Sequence, residues 1–258
     1  SKEKLVEFSN QFMFTSKFNH PSILKYTGYS PVDFENNSRP VITTELLKNE
    51  TLCHLLYSKS INFNSPEYDV KKYIIIYGIA SAMSYLHSHD VIHCNLSSQN
   101  IYLDENYYPK LTGFHYSQFF SNKPSNNSID RFTMDKGNSE YFAPEIFHFK
   151  NYSKSSDVFS FSVIFYEIFE GVKAHLNEFL YRFHSIPSYY QDFIEKCWSK
   201  NPSERPSFDE IVLFLKADAN LINNEEYQKY VKFVDESFVS FDSNQEFHFF
   251  DEIMNLPI

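Results

Sequence analysis

Residues 91–103 read Val-Ile-His-Cys-Asn-Leu-Ser-Ser-Gln-Asn-Ile-Tyr-Leu, and the rest of the chain is arranged around them. An apolar pair leads into a polar loop and an apolar run leads out. The loop carries one His, one Cys and two Asn five residues apart, with no acid. Upstream, residues 69–87 have Tyr73, Ile76, Tyr77, Ala80, Met83 and Leu86 at helical spacing. The added apolarity of Ile74, Ile75 and Ile79 predicts a helix buried on most sides. Downstream, 100–103 and 108–111 form a hairpin pattern around Asp104-Glu105-Asn106. Residues 3–18 predict a helix with Leu5, Phe8, Phe12, Thr15 and Phe18 on one face, ended by His20-Pro21. Residues 22–29 and 40–46 read as strands, 51–57 as a short helix.

A chain of 258 residues with 42% hydrophobic residues can bury one large core. A net charge of −10 argues against nucleic acid and anionic membranes as partners. Three distant cysteines, Cys53, Cys94 and Cys197, suggest neither a disulfide framework nor a zinc site. No apolar run reaches the roughly 18 residues of a membrane helix. The charged start Lys2-Glu3-Lys4 shows no signal peptide, and a cytoplasmic location is expected. A beginning at Ser1 rather than Met fits a piece of a longer chain.

The loop resembles the catalytic loop of eukaryotic protein kinases, H-R-D-L-x-x-x-N. His93, Leu96 and Asn100 match; Cys94 stands for the Arg, Asn95 for the Asp, and Ser97 for a Lys common in serine/threonine kinases. Other segments extend the resemblance over residues 3–216. Gly113-Phe114-His115 lies where the family has D-F-G. Residues 137–145 resemble the segment ending in A-P-E. Ser155 to Gly171 resembles the buried helix that follows, and Cys197-Trp198 with Arg205-Pro206 resembles the end of the C-lobe in tyrosine-kinase-like and tyrosine kinases. The implied fold is α+β and protein-kinase-like, with a mostly helical C-lobe and an N-lobe reduced to helix C and two strands. The implied domains are 1–47 (partial N-lobe and hinge), 48–216 (C-lobe) and 217–258 (acidic, aromatic-rich tail).

The resemblance also implies roles. Thr44 would be the gatekeeper, the backbones of Glu45 and Leu47 would face an adenine, and Asn100 would hold magnesium. His93, Phe114, Glu145, Asp157 and Arg205 would serve the frame, with Asp157 bracing the loop and Glu145 pairing with Arg205. Three positions break the family's chemistry. Asn95 cannot accept a proton, Gly113 offers no metal ligand, and Gln11 replaces the helix-C Glu that pairs with the ATP-contacting Lys. That Lys and the glycine-rich loop lie in no part of residues 1–258: the five glycines are too far apart. ATP and magnesium therefore stay open as cofactors. His115 is expected to pack rather than to bind metal.

The expected function is a pseudokinase acting as a scaffold or protein-binding module. The alternative is a weak or atypical ATP-dependent serine/threonine kinase. A third reading is a purely structural domain whose acidic tail recruits a partner. Within the tail, Tyr227, Val231, Val234 and Phe238 predict a helix capped at Asn223 or Asn224.

Overall fold

The computed structural model describes residues 2–37, 39–58, 62–120, 139–149, 152–174 and 183–237. The first helix, α1 (Lys2–Lys17), is followed by an antiparallel pair, β1 (Tyr26–Ser30) and β2 (Val41–Thr44). A helical body follows: α2 (Leu52–Tyr57), α3 (Asp69–Ser88), α4 (Pro144–Phe149), α5 (Lys154–Glu170), α6 (Ser188–Cys197), α7 (Phe208–Lys216) and α8 (Glu225–Glu236). Short strands lie between α3 and α4. β3 (Val91–Ile92) pairs with β6 (Gln118–Phe119), and β4 (Ile101–Leu103) pairs with β5 (Pro109–Leu111), all antiparallel. This is the α+β, mostly helical arrangement that the sequence predicts.

Helix α3 is the axis of the body. Every residue from Ile74 to Met83 is buried, against α5, α7, α8 and β5. Each large side chain contributes ~1.5–3 kcal/mol on burial. Gly78 permits the closest approach: a Cβ there would sit 2.3 Å from the Tyr230 hydroxyl and 2.4 Å from Pro109. Helix ends follow local chemistry. Ser153 with Ser156 and Ser207 with Glu210 form capping boxes on α5 and α7, and Asn224 caps α8. Gly171 closes α5 in the left-handed conformation, φ 66°.

The N-terminal elements differ from expectation in two respects. The segment predicted as strand from Ser22 begins pairing with β2 only at Tyr26, because 22–24 joins β5 instead. Leu111 N donates to Ser22 O (2.7 Å) and Leu24 N to Leu111 O (3.0 Å). The sheet is thereby stitched to the helical body. Helix α1 buries two faces rather than one. Phe12 meets Tyr26 and Tyr29 of β1 at 5.5 and 5.3 Å. Phe14, absent from the predicted face, is 1% exposed and packs on Phe114 and Phe119.

Residues 217–237 pack on the body. Asn224, Tyr227, Val231 and Val234 sit as the sequence predicts, and the Tyr230 hydroxyl lies 2.8 Å from Ser22 Oγ. Residues 121–136 of the serine- and asparagine-rich segment 116–136, residues 137–138 of 137–145, and the tail from 238 lie outside the described residues. No described helix is long and apolar enough to cross a membrane.

Candidate functional site

The loop after β3 is held from below by one carboxylate. His93 N and Cys94 N donate to the two oxygens of Asp157 at 2.9 and 3.0 Å, and His87 Nε2 donates to Oδ2 at 2.9 Å. Asp157 is 2% exposed on the first turn of α5. Its grip holds Cys94 at φ 64°, a left-handed conformation that a side chain adopts only under constraint. Burial pushes the Cys94 thiol well up, so it is an inert filler. His93 Nε2 donates to Thr112 O (3.0 Å) and Nδ1 accepts from Asn95 N (3.2 Å). Burial drives the His93 pKa down to about 4, so the ring is a neutral strut. Phe114 is fully buried against His93 (5.1 Å) and Phe14 (6.4 Å).

The expected pair closes further down. Arg205 Nη1 and Nη2 donate to Glu145 Oε1 and Oε2 at 2.6 and 2.8 Å. Arg205 also donates to the carbonyls of Ser199 and Ser155 and stacks over Phe159. All five of the predicted frame residues thus occupy bonded or buried positions.

Above the loop opens a cleft of about 460 Å³ between α1, the β2–α2 connection and the Gln99–His115 region. Thr44, Glu45, Leu47 and Asn100 all line it, as do Gln11 and Gly113. Glu45 Oε1 accepts from Lys25 N (2.9 Å) and pairs with Lys110 Nζ (3.3 Å). Gln11 Nε2 donates to Thr15 Oγ1 (2.9 Å) and reaches Thr112 Oγ1 at 3.5 Å. Asn95 Nδ2 donates to His115 Nε2 (3.2 Å), and Asn10 Nδ2 donates to His115 O (3.3 Å). His115 is therefore half-buried and engaged.

Asn100 lines the cleft and is anchored through its amide nitrogen. Its Nδ2 donates to Asn95 O (2.8 Å) and Ser97 Oγ (3.3 Å). Its amide covers Gly113, which is left-handed at φ 86°; a Cβ on Gly113 would lie 2.5 Å from Asn100 Cγ. Absence of a side chain at 113 thus lets the Asn100 amide fold down. The residues do not make the carboxylate set of the family's divalent-cation site: Asn95 and Asn100 carry neutral amides anchored through nitrogen, and Gly113 supplies no side chain. Among the described residues no cluster of three or more His, Cys, Asp or Glu is placed to hold a metal.

The sequence reading missed a support beside the loop. The Ser98 hydroxyl lies 2.8 Å from the Tyr141 hydroxyl, which donates to Glu167 Oε2 at 2.7 Å. Glu167 is fully buried on α5, and burial raises its carboxyl pKa. An acid inside the apolar run 158–169 was the available signal. It named His20 only as a helix stop; the ring accepts from Ser22 N and lies near Ser81 Oγ (3.2 Å), and burial lowers its pKa to about 3.

A lobed fold with this braced loop and facing cleft defines the protein-kinase class. The profile of the protein tyrosine and serine/threonine kinase family matches residues 1–215, and the chain belongs to that family. It is 30% identical to the probable serine/threonine-protein kinase kinX of Dictyostelium discoideum, over 86% of this chain and 21% of that protein. From the same organism, the dual specificity protein kinase splA is 28% identical, over 84% of this chain and 10% of its own length. The dual specificity protein kinase shkC is 30% identical, over 81% and 42%. The chain thus spans between 10% and 42% of these relatives.

Proposed function

We propose that this domain is a pseudokinase, a kinase-shaped binding or scaffolding module of tyrosine-kinase-like descent that does not transfer phosphate. The carrying observation is the cleft face of the loop: Asn95, Gly113 and Gln11 put no carboxylate where base, metal ligand and Lys partner belong, and Asn100 is folded over Gly113. Loss of a general base alone costs ~10²–10⁴ in rate. Loss of metal-held charge removes a separate part of the same transition state, so the losses need not add. The frame residues serve shape, which is what a protein partner would read. A cytoplasmic setting and the division at 47 and 216 belong to the same reading. ATP would enter, if at all, against Thr44, Glu45 and Leu47.

A weak serine/threonine or dual-specificity kinase is the second reading, and the names of the relatives favour it over the first. The test is transfer from γ-labelled ATP to a generic protein substrate, with magnesium or manganese, using the longest natural chain that contains this domain. The proposal expects the rate of an Asn100→Ala variant. A rate clearly above that variant establishes the kinase reading instead.

A further inference from the structure

Helix α8 reaches the N-terminal elements through the Tyr230 side chain. The ring passes between Gly78 of α3 and Pro109 of β5, where a Cβ at 78 would strike both the Tyr230 hydroxyl and Pro109. Glycine weakens a helix relative to alanine, and the missing side chain is what permits the passage. Beyond it the Tyr230 hydroxyl lies 2.8 Å from Ser22 Oγ, and both residues are buried. Ser22 is a junction. Its N donates to His20 Nδ1 (3.0 Å), and His20 Nε2 lies 3.2 Å from Ser81 Oγ of α3. Its O accepts from Leu111 N of β5 (2.7 Å). Helix α1 ends at Lys17 and β1 begins at Tyr26, so this junction lies on the connection between them. The remaining holds on α8 are of another kind. Glu226 pairs with Lys71 and Asp235 with Lys216, both partly exposed, and such pairs contribute little. Tyr227, Val231 and Val234 supply the buried face. A helix of 12 residues is marginal alone in water, so α8 docks and folds as one unit and comes away as one.

We infer that α8 is a clamp: through Tyr230 and Ser22 it fixes α1 and the β1–β2 pair to the helical body, and drawing α8 off loosens them. The cleft loosens with them, because Gln11 on α1 and Thr44 at the end of β2 are part of its wall. This goes beyond the pseudokinase reading. It concerns what holds the cleft in shape, whatever the cleft does, and phosphate transfer has no bearing on it. The lever acts toward one side of the molecule. Helix α5 packs on α3 and α6 and keeps those contacts when α8 leaves. The acidic, aromatic-rich residues after Ser237 continue directly from α8, and a protein partner that captured them would pull on the clamp.

The experiment is hydrogen–deuterium exchange, read by mass spectrometry, on the full chain and two variants of it. Val234→Asp sets a charge in the buried face of α8 and leaves the Tyr230 and Ser22 hydroxyls in place. It is expected to strip protection from residues 225–236 and to speed exchange in 8–17, 22–30 and 41–44 by about tenfold or more, while 158–168 of α5 stay within roughly twofold of the native chain. Tyr230→Phe keeps the ring between Gly78 and Pro109 and removes the bond to Ser22 alone. It should leave α8 protected and speed exchange in 20–26 by about three- to tenfold, the scale of one hydrogen bond. An unprotected α8 in Val234→Asp with 8–17, 22–30 and 41–44 unchanged would make the helix a mere cover and overturn the inference. Where Val234→Asp fails to fold or loosens α5 equally, Tyr230→Phe decides. Faster exchange confined to the N-terminal elements supports the clamp, and exchange in 20–26 at the native rate overturns it.

Discussion

The loop at residues 93–100 has an underside and a cleft side, and they differ in kind. Below, Asp157 satisfies two backbone amides and His87, while Arg205 and Glu145 close a bidentate pair. Charged groups are buried there, and each is compensated. Above, Asn95, Asn100 and Gln11 are neutral amides bonded to neighbours, and Gly113 carries no side chain. The underside keeps polar groups because removing one strands the others in a dry interior. The cleft side is wetter, and a lost charge there leaves nothing stranded. Shape and chemistry are thus separable within one loop: the frame resists change, and the reacting face does not.

That contrast orders the expected effects. Arg205→Met, which strands Glu145, should cost ~3–5 kcal/mol, a fall in Tm of roughly 6–20 °C for a chain of this size. Thermal denaturation measures it, and a loss below 1 kcal/mol would break the contrast. Next comes acid sensitivity. His93 and His20 have folded pKa values of about 4 and 3, below the unfolded value of 6.5. Between those values the unfolded chain binds more protons, so their stabilisation is full above pH 6.5 and falls as pH drops. From pH 6.5 to 5 each contributes a loss of up to ~2 kcal/mol, before most carboxylates titrate. Glu167, with its raised pKa, acts in the opposite sense. Denaturant midpoints across that range for the native chain and His20→Asn should show a shallower slope in the variant.

Gly113→Asp tests the cleft side from the other direction. It sets a side chain at positive φ into the Asn100 amide. Overpacking of that kind costs ~1–3 kcal/mol. Chemical denaturation should show the loss, and calorimetry with manganese should show no gain of metal affinity. The smallest effect is expected for Tyr230→Phe, which leaves the buried Ser22 hydroxyl without its 2.8 Å partner and should cost ~1–2 kcal/mol. Hydrogen exchange across residues 20–26 should rise with it.

The frame was legible because its residues sit at fixed spacings in dense motifs. His93, Asp157, Glu145 and Arg205 could be placed, and paired, from the resemblance alone. The losses at Asn95, Gly113 and Gln11 were equally visible as letters. What they do to one another was not. The collapse of Asn100 over Gly113 arises from two strands of backbone meeting, and a glycine's neighbour is not encoded at its own position. Phe14 was missed because α1 buries two faces, which a single-stripe helical pattern cannot express. The Ser22–Tyr230 contact joins residues 208 apart in sequence, beyond any local signal.

One measurement bears most directly on the separation of shape from chemistry. It is phosphate transfer by the double variant Gln11→Glu, Asn95→Asp, beside the native chain and Asn100→Ala, with magnesium or manganese. Gly113 still offers no metal ligand in that variant, so the account predicts all three at one background rate. Transfer by the native chain would contradict the account outright. Transfer by the double variant alone would show that the cleft holds its metal without a side chain at 113.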